Sequence, residues 1–160
     1  MRPLTRLARS YIKPANQNPS QSLFTILCMT GNSMSEKKTM EIDTKKIWET
    51  IDRNKTHISL SLKLCVHCTL CAESCFLYMS RGKNPIYMPS HKFINSLGRL
   101  YKQKGKIDRK GLEEIKEIVW ERCVLCTRCY CPMGIDIPGM LALTRGICRE
   151  QGILPEFDEK

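Results

Sequence analysis

Apolar positions along this chain recur at helical spacing in four stretches and at strand spacing in one. Ile42, Ile47, Trp48 and Ile51 lie near helical spacing, with Asp43 or Thr44 placed to cap them, so one helix is expected over residues 41–54. Ile58, Leu60, Leu62 and Leu64 then alternate with His57, Ser59, Ser61 and Lys63, the period of a strand. A lone strand has no pairing partner, so this stretch reads as an extended lead-in, with a short hairpin as the alternative. Farther on, Phe93, Ile94, Leu97, Leu100 and Tyr101 share one helical face. Ser90 behind Pro89 can cap that helix, Gly98 weakens it, and Lys104-Gly105 ends it. Asp108 opens another, carrying Leu112, Ile115, Ile118 and Val119, with Trp120 following. Pro138 occupies a first-turn position behind Ile135-Asp136-Ile137, and Met140, Leu141, Thr144, Ile147 and Cys148 line one face until Gly152. The expected fold class is mostly α: short helices joined by loops, with little sheet.

The loops carry the chemistry. Eight of the ten cysteines form two runs, Cys65-x2-Cys68-x2-Cys71-x3-Cys75 and Cys123-x2-Cys126-x2-Cys129-x-Cys131-Pro132. C-x2-C-x2-C-x3-C-P is a pattern of [4Fe–4S] ligation, in which the fourth cysteine of a run serves the other cluster of two-cluster ferredoxins. Zinc sites use C-x2–4-C pairs far apart in sequence, not triplets. A secreted disulfide framework is the rival use of so many cysteines, but it has no need of paired triplets. The compartment is therefore expected to be reducing. Both runs should begin in loops and feed helices. Two departures matter: Cys75 is followed by Phe76 instead of Pro, and only Tyr130 separates Cys129 from Cys131. Residues two apart on an extended chain point the same way. Serving different clusters would demand a sharp bend at Tyr130, which leaves the role of Cys131 open.

The remaining candidates are weaker. His67, inside the first run, reads as an exposed loop histidine, with pH-sensitive tuning as the alternative. His57 and His91 read as surface or capping residues. Cys148 reads as a small buried hydrophobe, and Cys28 as no ligand at all. Phe76, Tyr78, Trp120 and Tyr130 flank the runs and either shield clusters from water or pack.

Charge changes the picture modestly. The net charge is +10. Arg2, Arg6, Arg9 and Lys13 lie within residues 1–35, which have no acid. That segment reads as a disordered extension upstream of a start at Met34 or Met40, or as a targeting peptide. Over residues 76–110, between the runs, Arg81, Lys83, Lys92, Arg99, Lys102, Lys104, Lys106, Arg109 and Lys110 stand against a single acid, Asp108. This basic linker reads as a solvated face, as a docking patch for an acidic partner, or, as a weaker third choice, as a nucleic-acid surface. No apolar run approaches the ~20 residues that span a bilayer.

With both runs placed, residues 58–152 resemble the α-helical ferredoxin di-cluster module of heterodisulfide reductase, found in its small iron–sulfur subunit and in the larger heterodisulfide-reductase-like subunits of sulfate reducers. The match is carried by Leu64-Cys65 through Cys75, by Pro89-Ser90-His91-Lys92, and by Arg122-Cys123 through Cys131-Pro132-Met133-Gly134-Ile135-Asp136-Ile137-Pro138. The resemblance implies short helices around two [4Fe–4S] clusters with crossed ligation: Cys65, Cys68, Cys71 and Cys131 for one, Cys123, Cys126, Cys129 and Cys75 for the other. With the composition and periodicity of the N-terminal part, the chain divides into residues 1–35 (extension or targeting segment), 36–57 (N-terminal helix), 58–152 (di-cluster domain) and 153–160 (tail).

No Cys-Cys pair, C-x4-C-x2-C or G-x-G-x-x-G occurs, and no nucleophile is paired with a base. The expectation is a non-catalytic subunit relaying single electrons from a donor, such as a flavoprotein, to a catalytic acceptor subunit. It would sit in the cytoplasm, free or at the edge of a membrane complex. A free-standing ferredoxin, or an Fe–S regulator that binds nucleic acid, is the alternative.

Overall fold

The computed structural model describes residues 41–158, and every regular element among them is helical. The N-terminal segment read as an extension, with Cys28, lies outside the described residues. Helix α1 (Thr44–Arg53) starts where the Asp43 carboxylate accepts from the amides of Lys45 and Lys46, both at 3.0 Å. Helix α2 (Lys55–Leu64) follows directly after Asn54.

The strand expected over the alternating stretch is absent; those residues are the body of α2. The helical period turns Ile58 and Ser61 inward and leaves Leu60 53% exposed. Period-two alternation of Leu and Ser also satisfies a helix with one buried serine, so hydropathy alone could not separate the two. Backbone pairing does: a strand without a neighbour leaves its N–H and C=O groups unmatched, and a helix matches them within the segment. The assignment has a consequence for mutation. Ile58→Ala should cost about 2–5 kcal/mol, and Leu60→Ala no more than about 0.5 kcal/mol. Melting midpoints of the anaerobic protein measure both, and equal losses would restore the strand.

Helices α3 (Leu70–Glu73) and α4 (Phe76–Ser80) are single turns. They lead through a 3-10 turn, Pro85–Tyr87, into α5 (Pro89–Asn95) and α6 (Leu97–Lys102). One continuous helix was expected over these last two; the chain breaks at Ser96, whose φ and ψ are −104° and −88°. The apolar face survives the break, with Phe93, Leu97 and Leu100 all buried. Gly98, beside that break, is also a contact point: a Cβ there would stand 2.9 Å from Leu62 Cδ2 of α2. Gly105 ends α6 as expected, in the left-handed region (φ +72°), its amide donating to the Leu100 carbonyl at 3.0 Å.

Asp108 caps α7 (Arg109–Lys116) through the Gly111 amide, and a π-helical turn, Glu117–Glu121, continues it. After an irregular stretch, Asp136 caps α8 (Ile137–Glu150) through the Gly139 amide, with Pro138 in the first turn. The apolar faces of α1, α2 and α5–α8 meet in one core that includes Ile47, Ile51, Leu112, Ile115, Met140, Leu141 and Ile147. Helix α5 touches both α3 and α8. The first cysteine run enters α3 and the second precedes α8, so both runs are brought to α5. Among the described residues, no helix is long and apolar enough to cross a membrane.

Candidate metal centres

The two runs share more than cysteine spacing. Cys65-Val66-His67-Cys68-Thr69-Leu70-Cys71 and Cys123-Val124-Leu125-Cys126-Thr127-Arg128-Cys129 both read C-V-x-C-T-x-C. Their backbones repeat too: His67 and Thr69 have φ of +55° and +64°, and Leu125 and Thr127 have +52° and +60°. Left-handed non-glycine residues are uncommon and cost about 1–2 kcal/mol each. Four at equivalent places, each pair flanking a cysteine of ordinary φ, point to a shared purpose. Alternation of this kind turns successive amides into an anion-binding nest, a feature of many Fe–S sites. One such bond is already made: the Leu125 amide donates to Cys123 Sγ at 3.4 Å.

Two cavities lie beside the nests. The first encloses about 420 Å³ of empty space, mouth included, and is lined by Cys123, Cys126, Cys129 and Cys75. The second encloses about 330 Å³ and is lined by Cys65, Cys68, Cys71 and Cys131. The last cysteine of each run therefore stands with the first three of the other. Cys129 and Cys131 open into different cavities, and the amide between them, that of Tyr130, is held by Ser74 Oγ at 3.1 Å. The Ser74 hydroxyl itself donates to the Cys71 carbonyl, also at 3.1 Å. One serine of the first run thus anchors the crossing point of the second.

Electrostatics report the same grouping. Burial, followed by the neighbouring charges of Cys123 and Cys75, pushes the Cys129 thiol up to about 12, with Lys92 pulling the other way. Burial also raises Cys71; hydrogen bonds from Ser90 oppose it, and Cys65 and Cys131 add to it. Cys129 thus feels Cys75, and Cys71 feels Cys131, in each case a cysteine of the other run.

Among the described residues, no three His, Cys, Asp or Glu side chains converge closely enough to hold a single metal ion. A zinc ion draws its donors to within ~2.0–2.3 Å of one point. A cubane brings its own sulfides and takes one thiolate at each iron, so its ligands must line a hollow instead. Four thiols around a largely apolar cavity, with an amide nest at its rim, fit a [4Fe–4S] cluster in each place.

Lys92, counted with the basic linker by its place in the sequence, does not belong there. It is 2% exposed, and its Nζ lies 3.6 Å from Cys75 Sγ in the first cavity. Its position in α5 next to Phe93, on the edge of the apolar face, was the available signal. The linker is further depleted by ion pairs of Arg99 with Glu114 (2.7 Å) and Arg109 with Glu113 (3.3 Å). Arg145 carried no sequence signal. Its guanidinium donates to the carbonyls of Val119 and Cys123 and lies over the Trp120 ring, fixing the start of the second run. Trp120 is buried, whereas Phe76 and Tyr130 are about two-thirds exposed, so they do not seal the cavities. His67 and His57 are exposed; His91 is half-buried, and burial lowers its pKa. Cys148 is fully buried on α8, away from both cavities.

Comparison with known proteins agrees with this chemistry. Residues 61–135 match the 4Fe–4S dicluster domain family. Over 131 residues the chain is 30% identical to the Hdr-like menaquinol oxidoreductase iron–sulfur subunit 2 of Archaeoglobus fulgidus, an alignment covering 73% of this chain. It spans only 23% of that relative's length. No solved structure matches the chain. Residues 61–135 thus match a 4Fe–4S dicluster domain, and the chain is similar to a heterodisulfide-reductase-like (Hdr-like) iron–sulfur subunit.

Proposed function

We propose that this chain is the electron-relay subunit of an Hdr-like oxidoreductase complex and holds two [4Fe–4S] clusters. Cys75, Cys123, Cys126 and Cys129 hold one; Cys65, Cys68, Cys71 and Cys131 hold the other. The observation that carries the reading is the division of eight cysteines between two cavities, four to each. When bound, each cluster takes up and gives back one electron. The chain's own residues do the rest. The thiolates hold the irons, Ser90 and the Leu125 amide stabilise sulfur charge, and apolar walls limit water. Helix α5 lies between the sites, since Ser90 lines one cavity and Lys92 the other.

Electrons would enter from a donor subunit, a flavoprotein, and leave for a catalytic acceptor. The A. fulgidus relative is by name a subunit of a menaquinol oxidoreductase, which supports a place in a multi-subunit complex. The basic surface left to the nucleic-acid alternative is smaller than the linker's sequence suggests: Lys92 is buried, Arg99 and Arg109 are paired, and Arg81, Lys83, Lys102, Lys104, Lys106 and Lys110 stay exposed.

Iron and sulfide analysis of the anaerobically purified chain tests the proposal. About eight irons and eight sulfides per chain are expected, with a dithionite titration taking up about two electrons. Stoichiometric zinc without sulfide, or only about four irons at full loading, overturns it.

A further inference from the structure

We propose that Lys92 holds the cluster of the Cys75 cavity at the higher potential, so that electrons run within the pair from the Cys131 cavity to the Cys75 cavity. This rests on the two-cluster reading above.

A lysine is almost never fully buried unless paired. Lys92 is 2% exposed, and among the described residues no carboxylate pairs with it. The partner it has is Cys75 Sγ, at 3.6 Å. A neutral thiol is a poor match for an ammonium group; a thiolate on an anionic cluster is a good one. Four thiolates give a [4Fe–4S] cluster a net negative charge in either redox state, and reduction adds one more. A fixed cation at the rim therefore stabilises the reduced form more than the oxidised form. Because both groups are shielded from water, the effect is weakly screened.

The Cys131 cavity has no counterpart. Its only charged or titratable lining residue besides the cysteines is His67, which is exposed. Neutral donors occur on both sides, Ser90 toward Cys71 and the Leu125 amide toward Cys123, and do not distinguish the two. Hydrogen bonds from an ionised donor are roughly twice as strong as neutral ones. The asymmetry is thus one buried charge, on one side only. The transfer it favours is a single-electron exchange: the cluster in the Cys131 cavity is oxidised by one electron and the other is reduced by one. No bond forms or breaks, and no proton moves.

The test is a potentiometric titration of the full chain, loaded anaerobically and followed by electron paramagnetic resonance. In the wild type, two one-electron couples are expected. Lys92→Met should weaken reduction of the higher-potential couple at least tenfold, which is ~59 mV for a one-electron couple. The lower couple should stay in place, and Lys92→Arg should keep both. Lys92→Gln is the second neutral variant if the methionine variant loads poorly. Unmoved couples in the neutral variants, or a shift confined to the lower couple, would overturn the inference. A fully loaded wild type with one cluster overturns the two-cluster reading itself, before Lys92 is touched.

Discussion

In a chain whose Cys65, Cys68 and Cys71 are all replaced by Ala, adding Cys75→Ala is expected to destroy the remaining cluster. Adding Cys131→Ala to the same background should leave it intact. The expectation follows from the cavities: Cys75 lines the one built by Cys123, Cys126 and Cys129, and Cys131 lines the other. Iron should fall from about four per chain to well under half of that in the first case and hold in the second. Local ligation predicts the reverse, because Cys131 would then complete its own run. The paired variants protect the test against a trivial loss of folding, since both carry the same triple substitution and differ by one cysteine. Ser74→Ala bears on the same point. It removes the hydroxyl that holds the Tyr130 amide, and should weaken both clusters in otherwise wild-type chain.

The cysteine spacing named the cofactor class without help from the fold, because ligand geometry is local to each run. The helices with strong apolar faces were legible for a similar reason. The caps at Asp43, Asp108 and Asp136 are encoded within three residues of what they cap. What sequence could not supply was anything set by distant packing. The break at Ser96 depends on how α5 and α6 each meet the core, and the role of Gly98 depends on Leu62 of α2. Spacing alone left Cys131 undecided, since the crossing is fixed by Ser74, 56 positions away from Tyr130. Lys92 was misplaced because composition counts a lysine as surface until burial says otherwise. The repeated C-V-x-C-T-x-C is a further signal carried by the residues alone, and it matches the repeated left-handed backbone of the two loops.

Stripping the iron anaerobically with a chelator and reductant is expected to lower the melting midpoint by roughly 15–30 °C. The estimate starts from His67, Thr69, Leu125 and Thr127, each held at positive φ. At about 1–2 kcal/mol apiece, they amount to ~4–8 kcal/mol, comparable with the whole stability of a small domain. Such conformations persist only where something over-determines them. In the apo chain nothing does: the nests face no anion, and the buried Cys71 and half-buried Cys129 have thiols whose ionisation desolvation opposes. Either the loops keep the strain and the chain bears it, or they unfold locally and the walls of both cavities are lost. Both routes lower stability. They differ in where amide exchange rises. Relaxed loops expose residues 65–75 and 122–136 first, while the core of α1, α2 and α5–α8 keeps protection until it melts. An apo chain that melts within a few degrees of the loaded one, with both loops still protected, would show that the protein holds this geometry unaided. The clusters would then be passengers and not part of the fold.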